Sequence, residues 1–282
     1  MNRSDMFDLH AHTNYSDGEC TPAQLLVRAA EKGITHLAIT DHDNQDAMTA
    51  LKDQRQTQHE SRISPVRLIP GIEFSTRWDN IDIHVLALNH DVEAEPVKAL
   101  LRRQAEARLE RNAEIYAKLG KAGVELPKVN FNRRCEQLGR VHIAEQIVAV
   151  GRAKNVQQAF KRFLGKRGRA YVSANWVELD EVLDAIKGSA GSAVLAHPLK
   201  YQLSRSKTKR LIAAFGEQGG DGLEVISGKQ VQTQTDMLVS LAAEHGLKAS
   251  LGSDFHAPNR PWSELGSAGY LPKACEPIWE QW

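Results

Sequence analysis

Seven short apolar runs, beginning near Met6, Ile34, Val66, Ile81, Ala193, Gly222 and Leu247, recur along the chain, most of them separated by stretches with helical spacing. A residue able to do chemistry stands at or just past the end of six: His10, His42, Glu73, His197, Glu224 and Asp254. Strand residues two apart point to one face, so in Asp8-Leu9-His10-Ala11-His12-Thr13 both imidazoles can reach a single point, most simply a metal ion. Repeated strand-helix units with active groups at the strand C-termini are what a closed β/α barrel requires, because its loops converge at that mouth. The expectation is therefore an α/β chain with a parallel-sheet rhythm, interrupted once.

The interruption is helical and basic. Thr21-Pro22 opens a helix with a hydroxyl cap and a proline at the first helical position, stopping at Gly33, and a polar helical stretch runs from Asn44 to about Glu60. From Val92 to about Leu119 the pattern predicts one long charged helix, with Leu100, Leu109, Ile115 and Leu119 as a sparse apolar stripe. Val141 to Val150 and Val156 to Leu164 read as further helices, and no convincing strand occurs before Ala174. Residues 99–174 hold 17 Lys+Arg against 6 Glu and no Asp, a balance of +11; the rest, with 19 Lys+Arg against 29 Asp+Glu, carries −10. A net charge of +1 thus hides an acidic body with a basic segment inserted, which points to a polyanionic partner. The predicted organisation is a barrel in two parts, 1–98 and 175–282, around an all-helical segment at 99–174.

An apolar fraction of 41% supports a substantial core. No run of about 18 apolar residues exists to span a membrane, and the charged start Asn2-Arg3-Ser4-Asp5 leads into no signal-peptide core, so the reading is a cytoplasmic soluble protein. Cys20, Cys135 and Cys275 are odd in number, far apart and without Cys-x-x-Cys spacing, which supports neither a disulfide framework nor a thiolate zinc site. The chain has no Gly-x-x-x-x-Gly-Lys loop, no Gly-x-Gly-x-x-Gly and no Gly-x-Ser-x-Gly elbow, so nucleotide-cofactor chemistry and serine hydrolysis lose support.

Histidine nitrogens with carboxylate oxygens, and no sulfur, suit Mn²⁺, Zn²⁺ or Fe²⁺. The clustered histidines and carboxylates exceed what one ion needs, so more than one is implied, and adjacent ions suit phosphoryl displacement. His84 shares a strand face with Asp82 and Leu86 and is read as a ligand, whereas Glu224 is read as a partner holding a ligand histidine. His36, His59, His90 and His245 belong to no cluster and are read as structural or surface residues.

Asp8-Leu-His10-Ala-His12-Thr with Ser16-Asp17-Gly18, Thr40-Asp41-His42-Asp43, Pro70-Gly71-Ile72-Glu73, His197-Pro198 and Gly252-Ser253-Asp254-Phe255-His256 together resemble the motif set of the polymerase-and-histidinol-phosphatase (PHP) family. The match covers both halves of the chain in order. Within it, Gly139-Arg140-Val141-His142, Tyr171-Val172 and Phe255-His256 with Pro261-Trp262 resemble the bacterial 3′,5′-nucleoside bisphosphate phosphatases, a subgroup that includes a 5′→3′ exoribonuclease.

The resemblance implies a distorted seven-stranded barrel with three divalent ions, commonly manganese. By matching motif, one ion takes His10, His12, Glu73 and Asp254, a second Asp17, His42 and His256, and a third Glu73, His84 and His197, with Glu73 bridging. Asp17, His42, Glu73, His197, Asp254 and His256 are the catalytic candidates. Several family members have histidine where Asp17 stands, a departure that weighs against zinc relative to manganese. The implied activity is metal-dependent hydrolysis of a nucleoside 3′,5′-bisphosphate, such as 3′-phosphoadenosine 5′-phosphate, to the 5′-monophosphate, and of short 5′-phosphorylated RNA by the same chemistry. Arg140 and His142 are expected to hold the phosphate that is not cleaved, with Lys166 and Arg169 as second-rank candidates and Asp43 as another on the substrate side. No membrane and no obligatory protein partner are inferred. A histidinol-phosphate phosphatase, which needs no basic insertion, and a non-catalytic metal-stabilised RNA-binding module are the alternatives.

Overall fold

The computed structural model describes residues 5–57, 66–127 and 138–282. The expectations for His59, for Cys135 and for the end of the second helix lie outside them. Seven strands, β1 (Phe7–Asp8), β2 (His36–Ile39), β3 (Arg67–Trp78), β4 (Ile81–Leu88), β5 (Ser192–Leu195), β6 (Gly222–Ser227) and β7 (Lys248–Gly252), form one sheet in sequence order. The ends meet: Leu9 N–H donates to Leu251 O at 3.1 Å, Asp254 N–H to His10 O at 2.8 Å and His12 N–H to Phe255 O at 2.8 Å. Asp8 helps seal this seam by accepting from the Ser253 and Gly266 amides at 2.8 and 2.9 Å. The result is a nearly closed, distorted β/α barrel.

Helices α1 (Pro22–Glu31), α2 (Asp46–Thr57), α3 (Glu95–Lys121), α4 (Arg140–Ala149), α5 (Val156–Ala159), α6 (Leu179–Lys187), α7 (Arg205–Glu217) and α8 (Gln232–Glu244) complete the fold. The start of α1 follows from its sequence: Thr21 Oγ1 accepts from Gln24 N–H at 3.2 Å while Gln24 Oε1 accepts from Thr21 N–H at 2.9 Å, with Pro22 next in line. β2 and β5 are buried at every residue, as strands covered on both faces must be.

One expectation fails. β3 and β4 pair antiparallel, as do β4 and β5, whereas the other neighbours are parallel. The reason is local: only Asp79 and Asn80 separate β3 from β4, both at positive φ (48° and 59°), the geometry of a two-residue hairpin turn. So short a link cannot make the crossover that a parallel pair needs. β3 also runs unbroken through Pro70-Gly71, because Gly71 presses against β2; a Cβ there would lie 2.7 Å from Thr40 and 2.8 Å from the Ile39 carbonyl.

The largest apolar cluster packs β3–β7 against the start of α3 and α6–α8, and a second packs α1 and α2 on β2. The inserted helices hold a third cluster of their own, Ile115, Leu119, Ile143, Ile147, Phe163, Leu164 and Val172 among them. α3 bridges the two bodies, with Val97 and Leu100 in the barrel cluster and Ile115 and Leu119 in the helical one. Leu109, expected on its apolar stripe, is 63% exposed. Between the two ends the buried face of α3 is polar: Gln104, Arg108, Arg111 and Asn112, at helical spacing. Among the described residues, no helix is long and apolar enough to cross a membrane.

Candidate metal centre

The barrel mouth gathers histidines and carboxylates from the ends of β1, β2, β5 and β7 and from the β3–β4 hairpin. Gly252 lets the first of them in, since a Cβ on it would fall 2.3 Å from that of His10. Asp41 ties the loops after β1 and β2 together by accepting from Thr13 N–H (2.7 Å), Thr13 Oγ1 (2.5 Å) and Ser16 Oγ (2.6 Å). Asp43, His197 and Asp254 sit at positive φ (47°, 27° and 52°), the kind of strained backbone that persists where surrounding structure holds a functional constellation.

Among the described residues, three groups of potential ligand atoms converge: His10, His12, Glu73 and Asp254; His12, Asp17, His42 and His256; and His42, Glu73 and His84. Glu73 is at the centre and fully buried. Its Oε1 lies 2.7 Å from His84 Nδ1 and 2.7 Å from His197 Nε2; its Oε2 lies 3.1 Å from His42 Nδ1, 3.2 Å from His12 Nε2 and 3.3 Å from His10 Nε2. Every sequence-derived ligand is thus in one place. The grouping differs in detail from the motif-based one: His12 also belongs with Asp17, and His42 also belongs with His84, while His197 reaches the last group through its contact with Glu73.

Second contacts aim the rings. Glu224 Oε1 is 3.0 Å from His10 Nδ1, turning His10 Nε2 inward, and Glu224 Oε2 accepts from the His197 backbone N–H at 2.5 Å. His256 Nδ1 faces the Asp254 carbonyl at 2.9 Å, leaving Nε2 3.3 Å from Asp17. Glu224 therefore acts as the holding partner expected of it. His36 stacks on Phe7, and His90 is buried beside Gln45, both away from the ligand groups.

The fit to metal ions rests on what these atoms lack. His10 Nε2, His12 Nε2, His42 Nδ1, Asp17 Oδ1 and Glu73 Oε2 are buried, converge, and make no hydrogen bond of acceptable geometry. Burial raises the pKa of carboxylates and lowers that of histidines, yet here the mutual charges win for several. Burial opposes ionisation of Glu73, but His42, His84 and His10 hold it well below the carboxylate range; burial opposes a charged His12, but Asp254 and Glu73 push it up to about 10. The cluster of acids demands positive charge at its centre, and nitrogen and oxygen donors without sulfur suit hard or borderline divalent ions.

A second charged feature lies beside the first. Arg108 donates from Nε to Asp43 Oδ2 at 2.9 Å and also pairs with it through Nη2, while Asp43 Oδ1 accepts from Ser75 N–H (2.7 Å) and Gln104 Nε2 (2.8 Å). Asp43, expected to face a substrate, is fully buried with both oxygens engaged; it anchors Arg108 instead. Arg111 is 5% exposed and, among the described residues, is in ion-pair contact with no carboxylate; it donates to Asn112 Oδ1 at 3.3 Å. Both guanidiniums lie over Trp176, 5.1 and 5.0 Å from its centroid. Burial, with Arg108 and with Arg140 at the start of α4, pushes Arg111 down to about 9. Motif reading missed Arg108, Arg111 and Trp176. The available signal was the helical period of α3, in which Gln104, Arg108 and Arg111 continue the stripe of Val97 and Leu100. His142 lies in the first turn of α4, where its Nδ1 accepts from Gly139 N–H at 3.0 Å. Lys166 and Arg169 are exposed on the turn that follows α5.

Comparison with known proteins agrees with this geometry. The chain is 39% identical over 285 residues to the "5'-3' exoribonuclease Rnm" of Escherichia coli, covering 100% of this chain and 95% of the relative. It is 34% identical over 277 residues to the "3',5'-nucleoside bisphosphate phosphatase" of Chromobacterium violaceum, covering 97% of this chain and 95% of the relative. The solved structure of an amidohydrolase from Chromobacterium violaceum, with bound SO4 and no metal, superposes with a TM-score of 0.85 at 33% identity, covering 98% of this chain and 95% of that one. Residues 8–227, which span the motifs from Asp8 to Glu224 and the inserted helices, match the PHP domain, and the chain belongs to the PHP family.

Proposed function

We propose that this chain is a metal-dependent phosphoesterase that removes the 3′-phosphate of nucleoside 3′,5′-bisphosphates and releases 5′-terminal nucleotides from short 5′-phosphorylated RNA. The observation that carries this reading is the adjacency of two opposite demands, an acid-and-histidine cluster needing cations and, one residue along from His42 and two from Glu73, an arginine pocket needing an anion. A monophosphate substrate of the histidinol type would leave the second unused. The names of the relatives support both substrates.

Three divalent ions, manganese first among the candidates, fit the donor set: the first on His10, His12, Glu73 and Asp254, the second on Asp17, His42 and His256, the third on Glu73, His84 and His197. When bound, such ions supply a nucleophilic water at neutral pH and offset charge on the phosphoryl oxygens. The protein's own part is placement. Glu224 fixes His10 and the His197 backbone, Asp41 fixes the loops bearing His12 and Asp17, and Asp43 fixes Arg108. Arg108, Arg111 and Arg140 hold the 5′-phosphate, for which planar guanidinium forks are suited, with the positive end of α4 adding to them. That leaves the 3′-phosphorus over the acid cluster. The water oxygen bonds to phosphorus, the bond from phosphorus to O3′ breaks, and O3′ leaves with a proton. In RNA the same bond breaks, so the shortened strand keeps a 5′-phosphate and can enter again.

A nucleotide or RNA substrate and the free thiols Cys20 and Cys275 fit a cytoplasmic enzyme. The test is metal analysis of the purified protein followed by product analysis. Phosphate and 5′-monophosphate from a bisphosphate, with 5′-mononucleotides from 5′-phosphorylated RNA, are expected on adding manganese. No product from either after metal loading would overturn the reading.

A further inference from the structure

The arginine pocket occupies one side of the mouth. Arg108 and Gln104 reach over to Asp43, after β2, and to Ser75, in β3. In a ring of seven strands in sequence order, the loops after β5 and β6 lie across from those after β2 and β3. That far rim is different in kind. Lys200, in the turn after β5, extends its Nζ to the outer oxygen of Asp254. After β6, Lys229 is exposed and Val231 is 61% exposed; in the loop after β7, Arg260 is exposed and Trp262 is 63% exposed, an unusual amount for an indole in a folded chain.

These loops are fastened together by backbone. Lys229 N–H donates to Trp262 O at 2.7 Å, Gly228 N–H donates to Gly252 O at 2.7 Å, and Ser263 N–H closes a turn on Arg260 O at 3.0 Å. Gly228 sits at φ 59° so close to this loop that a Cβ would lie 2.5 Å from Trp262 O and 3.2 Å from Ser253 O. The indole is therefore carried on a braced turn whose backbone adjoins Ser253, the neighbour of Asp254. An exposed indole is thus carried, with the exposed Lys229 and Arg260, on loops whose backbone adjoins the residue next to Asp254.

A bisphosphate gives this rim nothing to hold, because the phosphate over the cluster is terminal. RNA is different: its scissile phosphorus carries a second ester, and the next nucleotide must leave the mouth away from the arginine pocket. We propose that Lys200, Lys229 and Trp262 form the track for the RNA strand 3′ of the cleaved bond, with the Trp262 indole stacking the second base and Lys229 meeting the phosphate beyond it. Cations that follow the backbone and an aromatic face for a base are how single-stranded nucleic acid is bound without sequence preference. The inference rests on the proposed phosphoesterase activity and assigns what separates its two substrates.

The experiment compares the manganese-loaded wild type with Trp262→Ala, Trp262→Phe and Lys229→Ala on a nucleoside 3′,5′-bisphosphate and on 5′-phosphorylated oligoribonucleotides of two to six residues. Trp262→Ala should lower kcat/KM on the oligonucleotides about tenfold, mainly through KM, and leave the bisphosphate within about twofold. Trp262→Phe should recover most of the loss, which a merely structural role would not predict. Lys229→Ala should reduce the salt slope of oligonucleotide KM by about 0.7. Equal losses on both substrates, or unchanged oligonucleotide kinetics in Trp262→Ala, would overturn the track while leaving the phosphoesterase reading in place. A wild type inactive on both substrates would instead overturn both.

Discussion

The metal centre and the arginine pocket are neighbours with opposite problems. In the centre, carboxylates crowd histidines and leave buried, converging atoms without a hydrogen bond of acceptable geometry, Glu73 Oε2 and Asp17 Oδ1 among them, a donor set that suits added divalent cations. In the pocket, Arg108 pairs with Asp43, while Arg111 is buried with no carboxylate in ion-pair contact among the described residues, feels only the more distant Asp43 and Asp82, and is opposed by the charges of Arg108 and Arg140. In the proposed reading, a phosphate ester with divalent ions completes both. The contrast also shows in how they are built: the centre is assembled from residues at strand ends, the pocket from one face of α3 that leaves the barrel and enters the helical insertion.

The comparison breaks most visibly at Glu73. Glu73→Ala should take activity to background even with excess manganese, because five histidines lose their shared carboxylate, and His84→Ala should retain more; elemental analysis with turnover assays checks both, and the reverse ranking would count against a bridging Glu73. Chelation of the wild type should match Glu73→Ala and be reversed by manganese.

Next comes the pocket. Arg111→Met and Arg140→Ala should each lower kcat/KM on a 3′,5′-bisphosphate roughly 10- to 100-fold, as expected for losing a charge-assisted hydrogen bond, and barely alter a nucleoside 3′-monophosphate. Arg111→Met sharpens the contrast further. It removes a buried charge that is in ion-pair contact with no carboxylate among the described residues while keeping apolar bulk against Trp176, so the ligand-free protein should gain about 1 kcal/mol in stability, read as a higher Tm. Loss of stability with no change in substrate preference would show that Arg111 serves the fold.

A smaller effect separates ligands from their supports. Glu224→Gln should weaken metal affinity about 10- to 100-fold without changing how many ions bind at saturation, since it loosens His10 and His197 but leaves every ligand in place. Smallest of all, Asn80→Val at the positive-φ turn of the hairpin that serves both regions should cost about 1–2 kcal/mol of stability in a denaturant melt, with substrate preference unchanged.

Much of the candidate metal centre is legible in the amino-acid sequence, because its histidines and carboxylates stand in short motifs at the ends of apolar runs, and the alternation of an extended chain relates His10 to His12 although β1 itself ends at Asp8. The helical insertion and its charge are legible for a similar reason, since composition and period are local. Two features escape although their signals are present. The Asp79-Asn80 pair marks a hairpin and so an antiparallel β4, and the helical period through Gln104, Arg108 and Arg111 marks a buried polar face. Both are masked by stronger patterns around them, the parallel rhythm of the other strands and the apolar stripe at the two ends of α3.

What the sequence determined alone is whatever depends on neighbours along the chain: the strands and helices, the α1 cap, the chemistry of each motif and the sign of the insertion's charge. What only the tertiary structure decided is whatever depends on distance between remote segments. It joined Glu73 to five histidines from four different parts of the chain, gave Glu224 to His10, turned Asp43 from a substrate contact into the anchor of Arg108, and buried Arg111 against Trp176 beside Arg108. The physical reason is that a charged group's role is set by burial and by what lies within a few ångströms of it, and barrel closure brings together residues that no spacing in the sequence relates.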